Sequence, residues 1–164
     1  MKISSLRAAY KVLFLDFDGV LHPTTTIEVE TATLETVIST GLFGFLPELE
    51  HILRPHPGVA VCAHSTWRYT HDIEELRELL GGLGGLGGLG GRVVGSTPRG
   101  PRYESILWWL HLNPAFTSHR ILDDDRREFP DPAPTELILC DPRTGVTGAR
   151  VQSELTTWLF SDKR

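Results

Sequence analysis

The sequence predicts an α/β protein, a three-layer, doubly wound, Rossmann-like fold built on a mainly parallel sheet of five strands. Three observations predict it. Short apolar runs of strand length recur along the chain, segments with helical spacing stand between them, and the residues with the most chemical potential fall just after the runs. With 164 residues, 40% of them hydrophobic, the chain has enough apolar material for one ordinary core, so a single domain over residues 1–164 is expected.

The first strand is read at residues 12–15, in KVLFLDFDGVLHP, where the apolar run stops abruptly at Asp16. The polar, Thr-rich stretch HPTTTIEVETAT follows, and then a helix near residues 47–53 and a second strand at 59–63. DIEELRELL sets Ile73, Leu76, Leu79 and Leu80 at helical spacing, with Asp72 as the cap. The GGLGGLGGLGG tract at 81–91 is read as an expanded loop, because Gly-rich chain is flexible and costs little extra to close. A phosphate-cradling loop would need Gly-Lys-Ser/Thr and a helix directly after it, whereas Arg92 here opens a strand. The leucines of the tract are expected to pack lightly on the surface.

A third strand at 92–94 leads to the helix RYESILWWLHL, where Tyr103, Ile106, Trp109 and Leu110 share one face and Trp108 is partly exposed. The fourth strand, 119–122, ends in Asp123, Asp124 and Asp125, and the fifth spans 137–140. A last helix follows Thr147, with Val151, Leu155, Trp158 and Leu159 as its apolar stripe.

Composition removes several classes of function. A net charge of −5 leaves no overall basic field to draw the chain onto polyanions nonspecifically. Cys62 and Cys140 each sit inside an apolar run, outside any CxxC or Cys/His spacing, so they are expected to be buried free thiols of a reducing cytoplasm. The apolar run after Lys2, Arg7 and Lys11 is too short for a secretory leader and is cut by Asp16, and no segment is long enough to span a bilayer. A cytoplasmic protein with no membrane partner is expected.

In open parallel sheets ligands bind at the carboxyl ends of the strands, near the point where strand order reverses. There the sequence places Asp16 and Asp18 after the first strand, and His64, Ser65, Thr66, Trp67 and Arg68 after the second. Ser96, Thr97, Arg99 and Arg102 follow the third, and Asp123 to Asp125 the fourth. Several carboxylates around one spot demand a hard cation, and oxygen ligands without a His/Cys cluster favour Mg²⁺. One carboxylate can then attack phosphorus while a second handles the proton of the leaving oxygen. Alternation along an extended strand end puts Asp16 and Asp18 on one side with Phe17 turned away.

LDFDGVL resembles the first motif of the haloacid dehalogenase-like (HAD) hydrolase superfamily, in its D-x-D-G phosphatase branch. VCAHSTWR is similar to the second motif, RYESILWWL to the third and ILDDD to the acidic fourth, in that order along essentially the whole chain. More narrowly, these motifs with the DPRTGVT tail resemble the HAD domain of Swiss Army Knife RNA repair proteins. The resemblance implies a phosphatase in which Asp16 is the nucleophile forming an aspartyl-phosphate and Asp18 the general acid/base. It implies Mg²⁺ as cofactor, with Asp16, Asp18 (through its backbone carbonyl), Asp123 and Asp124 as the metal residues. Ser65 and Thr66 would bind phosphate, Ser65 first. Arg102, with Arg99 as the fallback, would stand where lysine is usual; the charge is kept, but a guanidinium grips phosphate as a fork.

His64 departs from the commoner Ser or Thr. Asp125 is expected to be a solvated helix cap, Trp67 packing, His22 a residue of the entrance or of the ordinary surface, and Arg68 either a contact to substrate phosphate or a structural pair with an acid of the site. Too little chain separates the motifs for a full cap domain, so an uncapped site open to bulky phosphorylated substrates, such as a polynucleotide end, is expected. The alternative from another class is a non-catalytic phosphate-binding or interaction module with the same fold.

Overall fold

The computed structural model describes residues 10–24, 33–81 and 88–161. Five parallel strands, β1 (Tyr10–Leu15), β2 (Val59–Ala63), β3 (Val93–Ser96), β4 (Phe116–Asp123) and β5 (Leu137–Leu139), form one sheet in the order β3-β2-β1-β4-β5. The helices are α1 (Leu34–Thr40), α2 (Leu46–Leu53), α3 (Ile73–Gly81), α4 (Arg102–Leu112) and α5 (Ala149–Phe160). The α/β, Rossmann-like fold read from the sequence is therefore the fold observed.

Alternation along β1 generates the layers. Leu13 and Leu15 join one core with Val61, Ala63, Leu122 and Ile138 of the sheet and the buried faces of α2, α3 and α5. Val12 and Phe14 point the other way, into a smaller core with Cys62, Ile121 and Ile106 and Trp109 of α4. Phe14 meets Trp109 edge-on at 5.5 Å between ring centroids. The last helix is tied to the first strand by a cation: Lys11 Nζ donates to the carbonyls of Trp158, Leu159 and Ser161, where α5 leaves its final oxygens without intrahelical partners. Both cysteines are buried and unbridged, as expected, and burial pushes the Cys140 thiol up to about 12.

The differences from the sequence reading have local causes. Helix α1 was not expected, because LETVIST is rich in β-branched residues; Thr33 at its N-cap, accepting from Thr36 N, and Gly41 in the left-handed region at its end define it instead. Arg92 does not open β3 but closes a 3₁₀ turn, Leu89–Arg92, since its guanidinium donates to the carbonyls of Leu53, His56 and Val59. Leu89 is buried at 1% exposure, not lightly packed at the surface; residues 82–87 of the glycine tract lie outside those described. Asp72 and Glu75 form a reciprocal capping box at the start of α3. Among the described residues no helix is long and apolar enough to cross a membrane.

Candidate active site

β1 is central, and the chain passes from its β2 side to its β4 side after β3, so strand order reverses next to β1. Pairing runs one residue past β1, with Asp16 N donating to Leu122 O at 3.0 Å, which seats Asp16 beside Asp123 at the end of β4. Asp16 Oδ1 accepts from Phe17 N at 2.9 Å. Its Oδ2 accepts from Arg102 Nη1 at 2.9 Å, and the same nitrogen donates to Asp123 Oδ2 at 2.6 Å. Asp123 Oδ1 is taken up by Asp125 N at 2.8 Å. Arg102 lies in the first turn of α4, so the helix delivers the cation to both acids.

Asp16, Asp123 and Asp124 each bring one oxygen within 4.8 Å of the others. Gly19 makes room for the third: at φ +71°, an added Cβ would lie 2.2 Å from Asp124 Oδ2. Thr24 Oγ1 donates to that same carboxylate at 3.3 Å. Burial, reinforced by the like charge of Asp123, pushes the Asp16 carboxyl well above its ordinary range. Burial lifts Asp123 to about 6, and it raises Asp124 as well. Arg102 is held firmly charged: burial opposes this, but Asp16 and Asp123 together outweigh it.

With all three carboxylates ionised, one guanidinium would leave two negative charges uncompensated in a largely desolvated spot, and the upward push on all three carboxyls reflects that cost. An oxygen-only donor set with that excess fits a hard divalent cation such as Mg²⁺.

Asp18 faces a different environment. Its Oδ2 accepts from the buried Trp67 indole at 3.0 Å, and its Oδ1 lies 2.9 Å from His22 Nε2. His22 Nδ1 accepts from Phe43 N at 3.4 Å, which leaves Nε2 as the protonated nitrogen of the neutral ring and hence the donor to Asp18. Burial works against ionisation here, yet the His22 and Trp67 bonds win and hold the carboxyl below its ordinary value. The Asp18 side chain is thus outside the three-acid cluster.

The end of β2 is arranged otherwise. Ser65 is fully buried and caps the 3₁₀ turn Thr66–Tyr69, its Oγ accepting from Trp67 N at 3.3 Å; Thr66 is exposed. Arg68 spends its guanidinium on the carbonyls of His64, Ser65, Thr97 and Pro98, a structural role different from the expected pair with an acid of the site, because these strand-end carbonyls lie within its reach. Arg99 donates to Tyr69 O and stacks on the Tyr69 ring at 4.7 Å, away from the acids. Burial, with Arg102 nearby, drives His64 down to about 3, so it is neutral; Nε2 donates to Leu122 O at 3.3 Å. His64 Nδ1 and Thr97 Oγ1 are buried without a hydrogen-bond partner among the described residues.

A cavity of about 560 Å³ opens over the acids, lined by Asp16, Asp18, Pro23, Thr24, Arg102, Asp124, Asp125, Arg127, Pro142 and Arg143. Ser65 and Thr66 are not among its lining residues. Sequence reasoning missed His22 as the holder of Asp18 and the indole of Trp67 as its second donor. It also missed Arg127 and Arg143, although the repeat of Asp-x-Arg at 125–127 and 141–143 was legible. Asp125 is a cap, as expected, accepting from Arg127 N at 3.0 Å.

No curated protein and no solved structure matches the chain. A family model does, over residues 12–151, a span that runs from within β1 into the first turn of α5 and holds every acid of the cluster. The model describes the HAD domain in Swiss Army Knife RNA repair proteins, a domain that suggests phosphohydrolase-type chemistry, and the chain belongs to that family.

Proposed function

We propose that this chain, one domain over residues 1–164 acting in the cytoplasm, is a Mg²⁺-dependent phosphatase that works through an aspartyl-phosphate on Asp16, with phosphorylated polynucleotide ends as its substrates. The observation that carries the reading is the convergence of Asp16, Asp123 and Asp124 beside Arg102 on the floor of one cleft. Asp16, Asp123, Asp124 and the Asp18 carbonyl would hold Mg²⁺, which when bound supplies charge neutralisation for the acids and for the phosphoryl oxygens.

An Asp16 carboxylate oxygen forms the bond to phosphorus while the bond to the leaving oxygen breaks, and that oxygen departs with a proton from Asp18. Water then attacks the aspartyl-phosphate, gives its proton to Asp18, and inorganic phosphate leaves as the Asp16 carboxylate is restored. His22 and Trp67 fix the position of Asp18 and favour its ionised form, which suits the second half; the approach of an anionic phosphoryl group raises its proton affinity for the first. Arg102 orients Asp16 from one side and adds positive charge as the phosphoryl oxygens become more negative.

Turnover of p-nitrophenyl phosphate with Mg²⁺, lost with EDTA and lowered about 10⁴-fold by Asp16→Asn, is the expected result. Turnover that survives the substitution rejects Asp16 as nucleophile. One observation favours a second reading, a phosphate-binding module: a single Arg102 nitrogen already engages both buried acids. Binding of phosphorylated oligonucleotides with no Mg²⁺-dependent turnover on any phosphate ester would select it.

A further inference from the structure

The loops that follow β4 and β5 repeat one local device. Asp125 Oδ1 accepts from Arg127 N and Nε at 3.0 and 2.9 Å, and Oδ2 from Nη2 at 2.8 Å. Asp141 Oδ1 accepts from Arg143 N and Nε at 2.9 and 3.2 Å, and Oδ2 from Nη2 at 2.9 Å. In each case an aspartate two residues earlier grips the same edge of the guanidinium and leaves Nη1 and the second Nη2 hydrogen to point elsewhere. Both arginines are strongly exposed, at 89% and 85% for their side chains, and exposed ion pairs of this kind contribute little to folding.

Both also line the cavity whose floor holds Asp16. Thr24 N donates to Pro142 O at 3.1 Å and Thr24 Oγ1 reaches Asp124, so the three loops after β1, β4 and β5 are fastened into one rim. Arg102, the third cation of the lining, is already committed to Asp16 and Asp123. Arg127 and Arg143 are therefore the lining cations available to a second anionic group.

We propose that Arg127 and Arg143 form a rim subsite for a second phosphate of the substrate, the phosphodiester that adjoins the terminal phosphate of a polynucleotide. This rests on the phosphohydrolase reading of the floor. A guanidinium fork matches the two nonbridging oxygens of a diester. The aspartates hold each fork in place before the ligand arrives, which lowers the cost of ordering it. With a net charge of −5, the chain has no general field to retain a polyanion, so the grip has to be local.

The test compares kcat/KM for a terminally phosphorylated tetranucleotide with that for the matching mononucleotide and for a nucleoside 3′,5′-bisphosphate. Arg127→Ala and Arg143→Ala should each lower the tetranucleotide-to-mononucleotide ratio about fivefold, the size expected for an exposed charge-assisted contact, through KM and not kcat. Lysine at the same positions should restore part of the loss, since it keeps charge without the fork. A ratio unchanged in the double variant overturns the subsite; a ratio that falls for the bisphosphate alone overturns its assignment to a polynucleotide.

Wild-type protein inert toward every ester would sink the phosphatase reading without touching the rim. Fluorescence anisotropy then reads the rim alone: a methylphosphonate at the first linkage should weaken tetranucleotide binding by the wild type and not by the double variant. Equal weakening of both rejects the proposal.

Discussion

The two halves of the strand-end cleft are built in opposite ways. At the ends of β1 and β4 the polar atoms engage one another: Arg102 bridges Asp16 and Asp123, backbone amides take the remaining oxygens, and the acids are driven toward their neutral forms by burial. At the ends of β2 and β3 the chain spends its polar groups on itself, Ser65 on a cap and Arg68 on four carbonyls, while His64 Nδ1 and Thr97 Oγ1 have no partner among the described residues. Charge is costly to bury, so the acid half is preassembled around the Arg102 guanidinium and its carboxyls lean toward the neutral form. Neutral hydroxyls and an imidazole carry a smaller penalty, and that half tolerates unspent hydrogen-bonding capacity.

The contrast breaks most readily at Arg102. Arg102→Ala leaves two buried carboxylates facing each other and should destabilise the protein by about 3 kcal/mol in EDTA, as removal of one partner from a buried ion pair does. Chemical denaturation measures it, and saturating Mg²⁺ should recover part of the loss; equal loss with and without metal would mean that the acid cluster does not hold a cation. Next comes the proton-handling acid. Trp67→Phe keeps the ring packing against Phe17 and Phe43 but removes the donor to Asp18, and kcat should fall about tenfold, the scale of a lost charge-assisted hydrogen bond. An unchanged kcat would make the indole a packing residue only.

Ser65→Ala sharpens the other half: loss of the cap should cost about 1 kcal/mol in stability. A rise in KM beyond that stability effect would show that the hydroxyl also meets phosphate; an unchanged KM would confine it to capping. The smallest effect is a pH dependence. Asp123 and Asp16 have folded pKa values above their unfolded ones, so their contribution favours the fold below about pH 4; the Asp123 share is lost as pH rises through about 6, and the Asp16 share as pH rises through its own raised value. In EDTA, Tm should therefore drop by a few degrees between pH 5 and 7.5, and Asp123→Asn should flatten that slope, as a thermal scan will register.

The acid half was also the half legible in the sequence. D-x-D after one apolar run and D-D-D after another are local patterns, and parallel pairing of neighbouring strands in register brings them together with no further information. Arg102 was legible as a cation in the first turn of a helix, but not as a bridge, since which groups it reaches depends on how α4 packs on the sheet. His22 was misread as a residue of the entrance because its burial comes from stacking on Phe43, a contact made across the chain. Helix α1 escaped for the opposite reason: its propensity is poor and only its two ends carry a signal.

Gly19 also sets the order in which this site can change. The Asp124 carboxylate fills the volume that a side chain at 19 would need. Residue 19 can therefore gain a side chain only after position 124 has surrendered its acid, and a lineage that took the steps in reverse would pass through a sterically blocked intermediate. The left-handed φ of +71° strains a side chain at 19 even after that acid has gone, so glycine there answers to two independent constraints and loss of the third carboxylate releases only one of them.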